Sequence, residues 1–114
     1  MSSYVTGAIA AENTFTDWIT PKIVRADLGI PGHVDLSCSG TFEATVTVQK
    51  RYFTGNNPSD LTYTDPIDAY SFTNASELDE MNGTLFSYSS RVQFRVGVKT
   101  GGYTSGTANL RLDQ

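Results

Sequence analysis

Arg91, Arg95 and Lys99 recur at a spacing of four in RVQFRVGVK, and Arg111 sits in the next alternating run. In an extended strand that spacing puts three cations on one face together with Gln93 and Gly97, with about 7 Å between every second residue and so about 13 Å between successive cations. Such a row could meet an acidic protein surface or a sugar. The residues favour the plainer reading, the solvated side of a sheet, where long basic side chains protect an edge and pair with acidic neighbours such as Glu43 at little net energy. Other candidates for chemistry are sparse. His33 is the sole histidine, and no Gly-x-Ser-x-Gly elbow, phosphate loop or His/Cys metal pattern accompanies it. Asp79-Glu80 and Asp65-x-x-Asp68 pair carboxylates in sequence, but acid/base work needs them to converge across a cleft. Asp60, Asp65 and Asp68 flank a loop that could offer oxygens to Ca²⁺, although their spacing matches no calcium-loop template. The expectation is no catalytic residues, no metal and no cofactor.

Across the whole chain, 114 residues with 39% hydrophobic content suffice for one domain with a modest core. A formal charge of −4 argues against direct nucleic-acid binding, which usually carries a basic excess. No run approaches the roughly 18 apolar residues of a membrane span, and MSSYVTGAIAAENTF lacks the pattern of a secretory signal, so the product is expected to stay where it is made, in the cytoplasm. The lone Cys38 shares parity with Val34 and Leu36 in HVDLSCS and reads as a buried small hydrophobe.

The dominant periodicity is two. In TFEATVTVQKRYF, residues 41 to 53, Phe42, Ala44, Val46 and Val48 alternate with polar residues; Val92, Phe94, Val96 and Val98, then Ala108, Leu110 and Leu112, repeat the pattern. Shorter strands are predicted over Ser3 to Ile9, Thr14 to Thr20, Lys22 to Arg25, His33 to Ser39, Asp68 to Thr73 and Thr84 to Tyr88. Gly- and Pro-rich turns separate them. The Gly101-Gly102 bend predicts a C-terminal hairpin, which would bring Arg111 onto the face of Arg91, Arg95 and Lys99. Residues 54 to 68 read as a long loop, and ASELDEMNG, residues 75 to 83, as one helical turn or an acidic loop. Seven to nine such strands imply an all-β antiparallel sandwich, jelly-roll-like or immunoglobulin-like. In NTFTDWITPK, Phe15 and Ile19 share a parity that Trp18 does not. Either Trp18 leaves the core as an interface anchor, or a bulge or second layer buries it.

SGTFEATVTVQK, residues 39 to 50, together with FRVGVKTGGYTSGTANLRL, residues 94 to 112, resembles a group of small β-sandwich virion proteins of tailed bacteriophages. The match covers about a third of the chain and is strongest from Val96 to Thr107. The chain departs from the pattern after Arg51, where Phe53-Thr54-Gly55-Asn56-Asn57-Pro58 opens a longer loop. The matched motifs consist of strand and turn residues, so no catalytic or ligand residue of the family carries over to this chain.

The resemblance implies a structural virion protein, a capsid decoration or cement protein on the capsid exterior that clips neighbouring major capsid subunits together. Met1 to Ala10, with Tyr4, could form an N-terminal arm that adds a strand to a capsid sheet edge. Trp18, Tyr103, the 54 to 68 loop and the row Arg91, Arg95 and Lys99 are the candidate contacts, and a homo-oligomer is possible. One rival is a carbohydrate-binding virion module that stacks a sugar on Tyr63, Tyr70, Tyr88 or Tyr103. A tail or head-completion component is another.

Overall fold

The computed structural model describes residues 4–21, 32–55, 57, 59–73, 84–87 and 91–114, without the side chains of Gly32, Tyr70 and 84–87. Among them are nine strands: β1 (Tyr4–Ile9), β2 (Thr14–Phe15), β3 (Gly32–Ser39), β4 (Phe42–Thr54), β5 (Thr62–Tyr63), β6 (Ile67–Phe72), β7 (Thr84–Ser87), β8 (Val92–Gly106) and β9 (Ala108–Asp113). They form two antiparallel sheets. One has the order β1-β9-β3-β7; the other runs β2-β8-β4-β5, with β6 also paired to β4. The alternation that predicts the strands also supplies the core. Val34, Leu36, Leu110 and Leu112 from the four-stranded sheet meet Val46, Val48, Phe94, Val96 and Val98 from the five-stranded one in a single buried cluster.

The chain changes sheet after nearly every strand. β3 pairs with β9 and β4 pairs with β8, so residues 32–54 and 92–113 form one long antiparallel ribbon folded over itself. Its register is unbroken through the fold: Ser39 faces Asn109, the Thr107 amide donates to the Thr41 carbonyl at 3.0 Å, and Phe42 faces Gly106. The connection β1 to β2 makes the same crossing, with Asn13 at φ 53°. This is jelly-roll connectivity. It differs from the immunoglobulin-like alternative, whose sheets are built largely from sequential hairpins.

Two glycines permit the fold of the ribbon. Gly40 (φ 99°) and Gly106 (φ 84°) lie in the left-handed region. A Cβ on Gly106 would sit 2.6 Å from the Cα of Phe42 and closer still to the Thr41 carbonyl oxygen, and one on Gly40 would strike the Thr107 carbonyl oxygen. A side chain at either position would therefore wedge the two strands apart where they must turn together.

The expected C-terminal hairpin is therefore corrected: β8 and β9 do not pair but lie in different sheets, and the chain crosses at Gly106. Gly101-Gly102 lies within β8, in a bulge spanning residues 99–102 that fits between the pairs Ala44–Tyr103 and Val46–Val98. The Gly101 amide at this bulge donates to Glu12 Oε2 at 2.8 Å. The strand predicted over Ser3 to Ile9 is present as Tyr4–Ile9, and this part of the Met1 to Ala10 segment that could form an arm is paired along β9. Part of the 54 to 68 loop is ordered into β5 and the start of β6. The strand expected at Lys22 to Arg25 and the turn at 75 to 83 lie outside the described residues.

Gly101 and Gly106 share a sign of φ but not an environment, since a Cβ on Gly101 meets nothing within 4 Å. Gly101→Ala is expected to cost about 1–2 kcal/mol, the backbone penalty alone. Gly106→Ala should cost about 3 kcal/mol or more because the clash adds to it. Urea midpoints of the two variants check this, and equal losses would contradict the steric role of the corner.

Candidate interaction face

The outer side of the five-stranded sheet carries the odd-numbered residues of β4 and of β8 up to its bulge. Register sets Gln49 directly opposite Arg95 and Arg51 opposite Gln93. Along the far edge of β8, β2 covers residues 97 and 98, and Ile19 bridges Phe94 with both backbone hydrogen bonds at 2.9 Å. The Thr16 amide bonds to the Val96 carbonyl, so the chain between Thr16 and Ile19 leaves the ladder and returns. That excursion resolves the parity conflict. Ile19 enters the core, whereas Phe15 and Trp18 stay half-buried over the outer face. Gly97 makes room for this strand, because a Cβ there would lie 2.6 Å from the Cα of Phe15.

These elements assemble a stack of guanidinium groups and rings. The Arg95 guanidinium carbon lies 4.2 Å from the ring centroid of Phe15 and 4.6 Å from that of Trp18. Arg51 lies 4.3 Å from Trp18 and 3.9 Å from Tyr63. Phe53 tilts against Tyr63 at 6.1 Å, and Arg91 lies 5.9 Å from the Phe53 ring. Amides fix the polar edges. Gln49 Oε1 accepts from Arg95 Nε and Nη2 at 2.9 and 2.7 Å, and Gln93 Oε1 accepts from Arg51 Nε at 2.9 Å.

Arg51 and Arg95 have no carboxylate partner among the described residues. Burial lowers the pKa of each, and the neighbouring Arg51 charge lowers that of Arg95 further. Both remain charged near neutral pH because guanidinium ordinarily titrates far above it. The face therefore holds two partly desolvated positive charges whose repulsion, among the described residues, is offset by ring faces and amide oxygens.

The expected cation row is divided. Arg95 belongs to the stack, and Arg91 donates to the Gly55 carbonyl at 2.8 Å. Lys99, at the bulge, is bound to Asp68 Oδ2 at 2.7 Å. Arg111 does not join them, because β9 is in the other sheet; it pairs with Asp113 at 2.6 Å and lies 4.0 Å from the Tyr4 ring. Tyr4 is 56% exposed but leans on that arginine. Tyr103, expected as a contact, packs against the core and donates its hydroxyl to the Gly106 carbonyl at 2.9 Å, bracing the corner. Arg51, Gln49 and Gln93 are at the heart of the face and were not singled out by sequence. Their signal was their outward parity next to that of Arg95.

Among the described residues no three His, Cys, Asp or Glu side chains gather as a metal group. Asp68, considered for calcium, accepts instead from Lys99 and from Gln49 Nε2 at 3.0 Å. Cys38 is half-buried as part of the packing around the core, and burial raises its pKa. Of the tyrosines expected as a sugar platform, Tyr63 has Arg51 against its ring, Tyr103 is tied to the corner, and the Tyr70 and Tyr88 side chains lie outside the described residues. Beside the stack, Thr45, Thr47, Ser71, the Lys99–Asp68 pair and Gly101-Gly102 line an open concavity of about 380 Å³. Comparison with protein-family models, curated proteins and solved structures finds no match to this chain.

The hydrogen bond from Lys99, followed by that from Gln49, holds the Asp68 pKa below the ordinary aspartate value. A depressed carboxylate pKa stabilises the fold above the unfolded-state value, and that contribution fades as pH falls through the folded-state value. Lys99→Gln should therefore raise the Asp68 midpoint in an NMR carboxyl titration, and should destabilise the chain at neutral pH but not in acid. An unmoved midpoint would contradict the assignment.

Proposed function

We propose that the chain is a non-enzymatic structural virion protein of the capsid decoration type, docking on major capsid protein at the capsid exterior through the outer face of its five-stranded sheet. The observation that carries the docking face is the Trp18–Arg51–Arg95 stack, which joins a half-buried tryptophan to two guanidinium groups without carboxylate partners among the described residues, in a chain of net charge −4. Tryptophan and arginine dominate the energetics of protein interfaces when they are desolvated together. The virion assignment rests on the resemblance of residues 39 to 50 and 94 to 112 to phage proteins, and the jelly-roll topology is compatible with it.

A decoration protein that binds across assembled subunits and not the free subunit stabilises the shell by mass action. Attachment to one subunit raises the effective concentration for its neighbour, so each contact can be weak. A rigid sheet face suits this role, since side chains already held by stacking and hydrogen bonds lose little entropy on docking. Among the described residues, β1 has a free edge on the side away from β9, which offers a second contact by strand addition.

A second reading, a carbohydrate-binding virion module, draws on the hydroxyl-lined concavity beside Lys99. Saturable binding of a specific sugar by the isolated chain would favour it.

The test is addition of the purified chain to particles that lack it. Wild type should attach in hundreds of copies and raise resistance to heat and chelators. Trp18→Ala should weaken attachment by about tenfold or more, while Arg111→Gln on the other sheet should not. Particles equally robust with and without the chain would overturn the decoration reading, and about a dozen copies would indicate a connector ring.

A further inference from the structure

We infer that Arg51 is a receptor for a protein carboxylate, an aspartate or glutamate side chain in an acidic segment of the partner. The inference rests on the outer face being the docking surface and names what the partner must present there. Arg51 Nε is fixed by Gln93 Oε1 at 2.9 Å, and the rings of Trp18 and Tyr63 crowd the guanidinium at 4.3 and 3.9 Å. Its orientation is thus set before any partner arrives. Among the described residues its two Nη groups have no acceptor, so one edge of a planar fork remains for a carboxylate, whose two oxygens match it.

Charge favours the same occupant. Arg95 also stacks on Trp18 and has Nη1 uncommitted among the described residues, so an incoming carboxylate would relieve the repulsion between the two guanidiniums. Lys99 is already neutralised by Asp68, and Arg111 by Asp113 in the opposite sheet. Arg51 and Arg95, stacked on the same Trp18 ring, form a compact pair of charges on a chain of net −4, suited to one or two carboxylates and unsuited to a long phosphodiester strand.

Trp18 is the only tryptophan, so intrinsic tryptophan fluorescence reports on this face alone. The full chain would be titrated with N-acetyl-tetraglutamate amide, and in parallel with sodium phosphate, oligothymidylate and sodium chloride at matched ionic strength. The peptide should give a saturable change, weakened by about tenfold or more in Arg51→Gln, in line with loss of a charge-assisted bidentate contact. Arg51→Lys, which keeps the charge but loses the fork, should also bind more weakly, and it decides the matter if Arg51→Gln fails to fold by circular dichroism. Arg111→Gln should bind as wild type does.

Absence of a saturable peptide response, a response that chloride reproduces, or one that survives loss of Arg51 would overturn the inference. So would a response to phosphate or oligothymidylate alone. Because no particle is present, these results are separable from the attachment assay. Attachment that persists without peptide binding would leave the decoration reading standing and remove this one.

Discussion

At the corner of the folded ribbon two backbones approach so closely that neither Gly40 nor Gly106 has room for a Cβ. Thr41 and Thr107 are hydrogen-bonded there at 3.0 Å, and Tyr103 donates to the Gly106 carbonyl. Because the register runs unbroken through this point, the corner determines which residues of β4 face which residues of β8 near the turn. The bulge over residues 99–102 then shifts the phase. Beyond it Val98, Val96, Phe94 and Val92 point inward, and Arg95, Gln93 and Arg91 point out. A slip of one residue would exchange the two sets, placing valines in water and guanidiniums in the core.

The arginine–aromatic face is thus a consequence of register combined with one irregular edge. The excursion between Thr16 and Ile19 lets a single short segment give Ile19 to the core and Trp18 to the surface. Arginine is the cation suited to a site between aromatic rings, since its weakly hydrated plane tolerates ring faces better than an ammonium would. Gln49, only 7% exposed, and Gln93 supply neutral acceptors where carboxylates would have cancelled the charge. The Lys99–Asp68 and Arg111–Asp113 pairs show the contrast, because they leave little net field for a partner to meet.

Much of this could be read from residue order. The alternation in residues 41 to 53, 91 to 99 and 107 to 112 identified the long strands and their buried faces, because period two in a half-buried strand is a direct result of pleating. The parity conflict of Phe15, Trp18 and Ile19 pointed to the irregular edge. Partner choice was not legible in the same way. Gly101-Gly102 carries the ordinary signal of a reversal, and nothing local distinguishes a hairpin turn from a bulge or Gly106 from a sheet-crossing corner; the difference lies in what approaches from Thr41. Arg51 was missed because its importance comes from Trp18 and Tyr63, which reach it from other parts of the chain. Tyr103 looked like an exposed aromatic until the bulge turned it toward the core.

On the proposed reading, the five-stranded sheet presents its arginine–aromatic face to an acidic protein surface on the capsid exterior. An image reconstruction of intact particles would show which face meets the capsid. Capsid density is expected against Trp18, Arg51 and Arg95, with an acidic side chain within hydrogen-bonding reach of the Arg51 guanidinium. A reconstruction in which that face points to solvent, with the four-stranded sheet or the β1 edge carrying the contact, would contradict it.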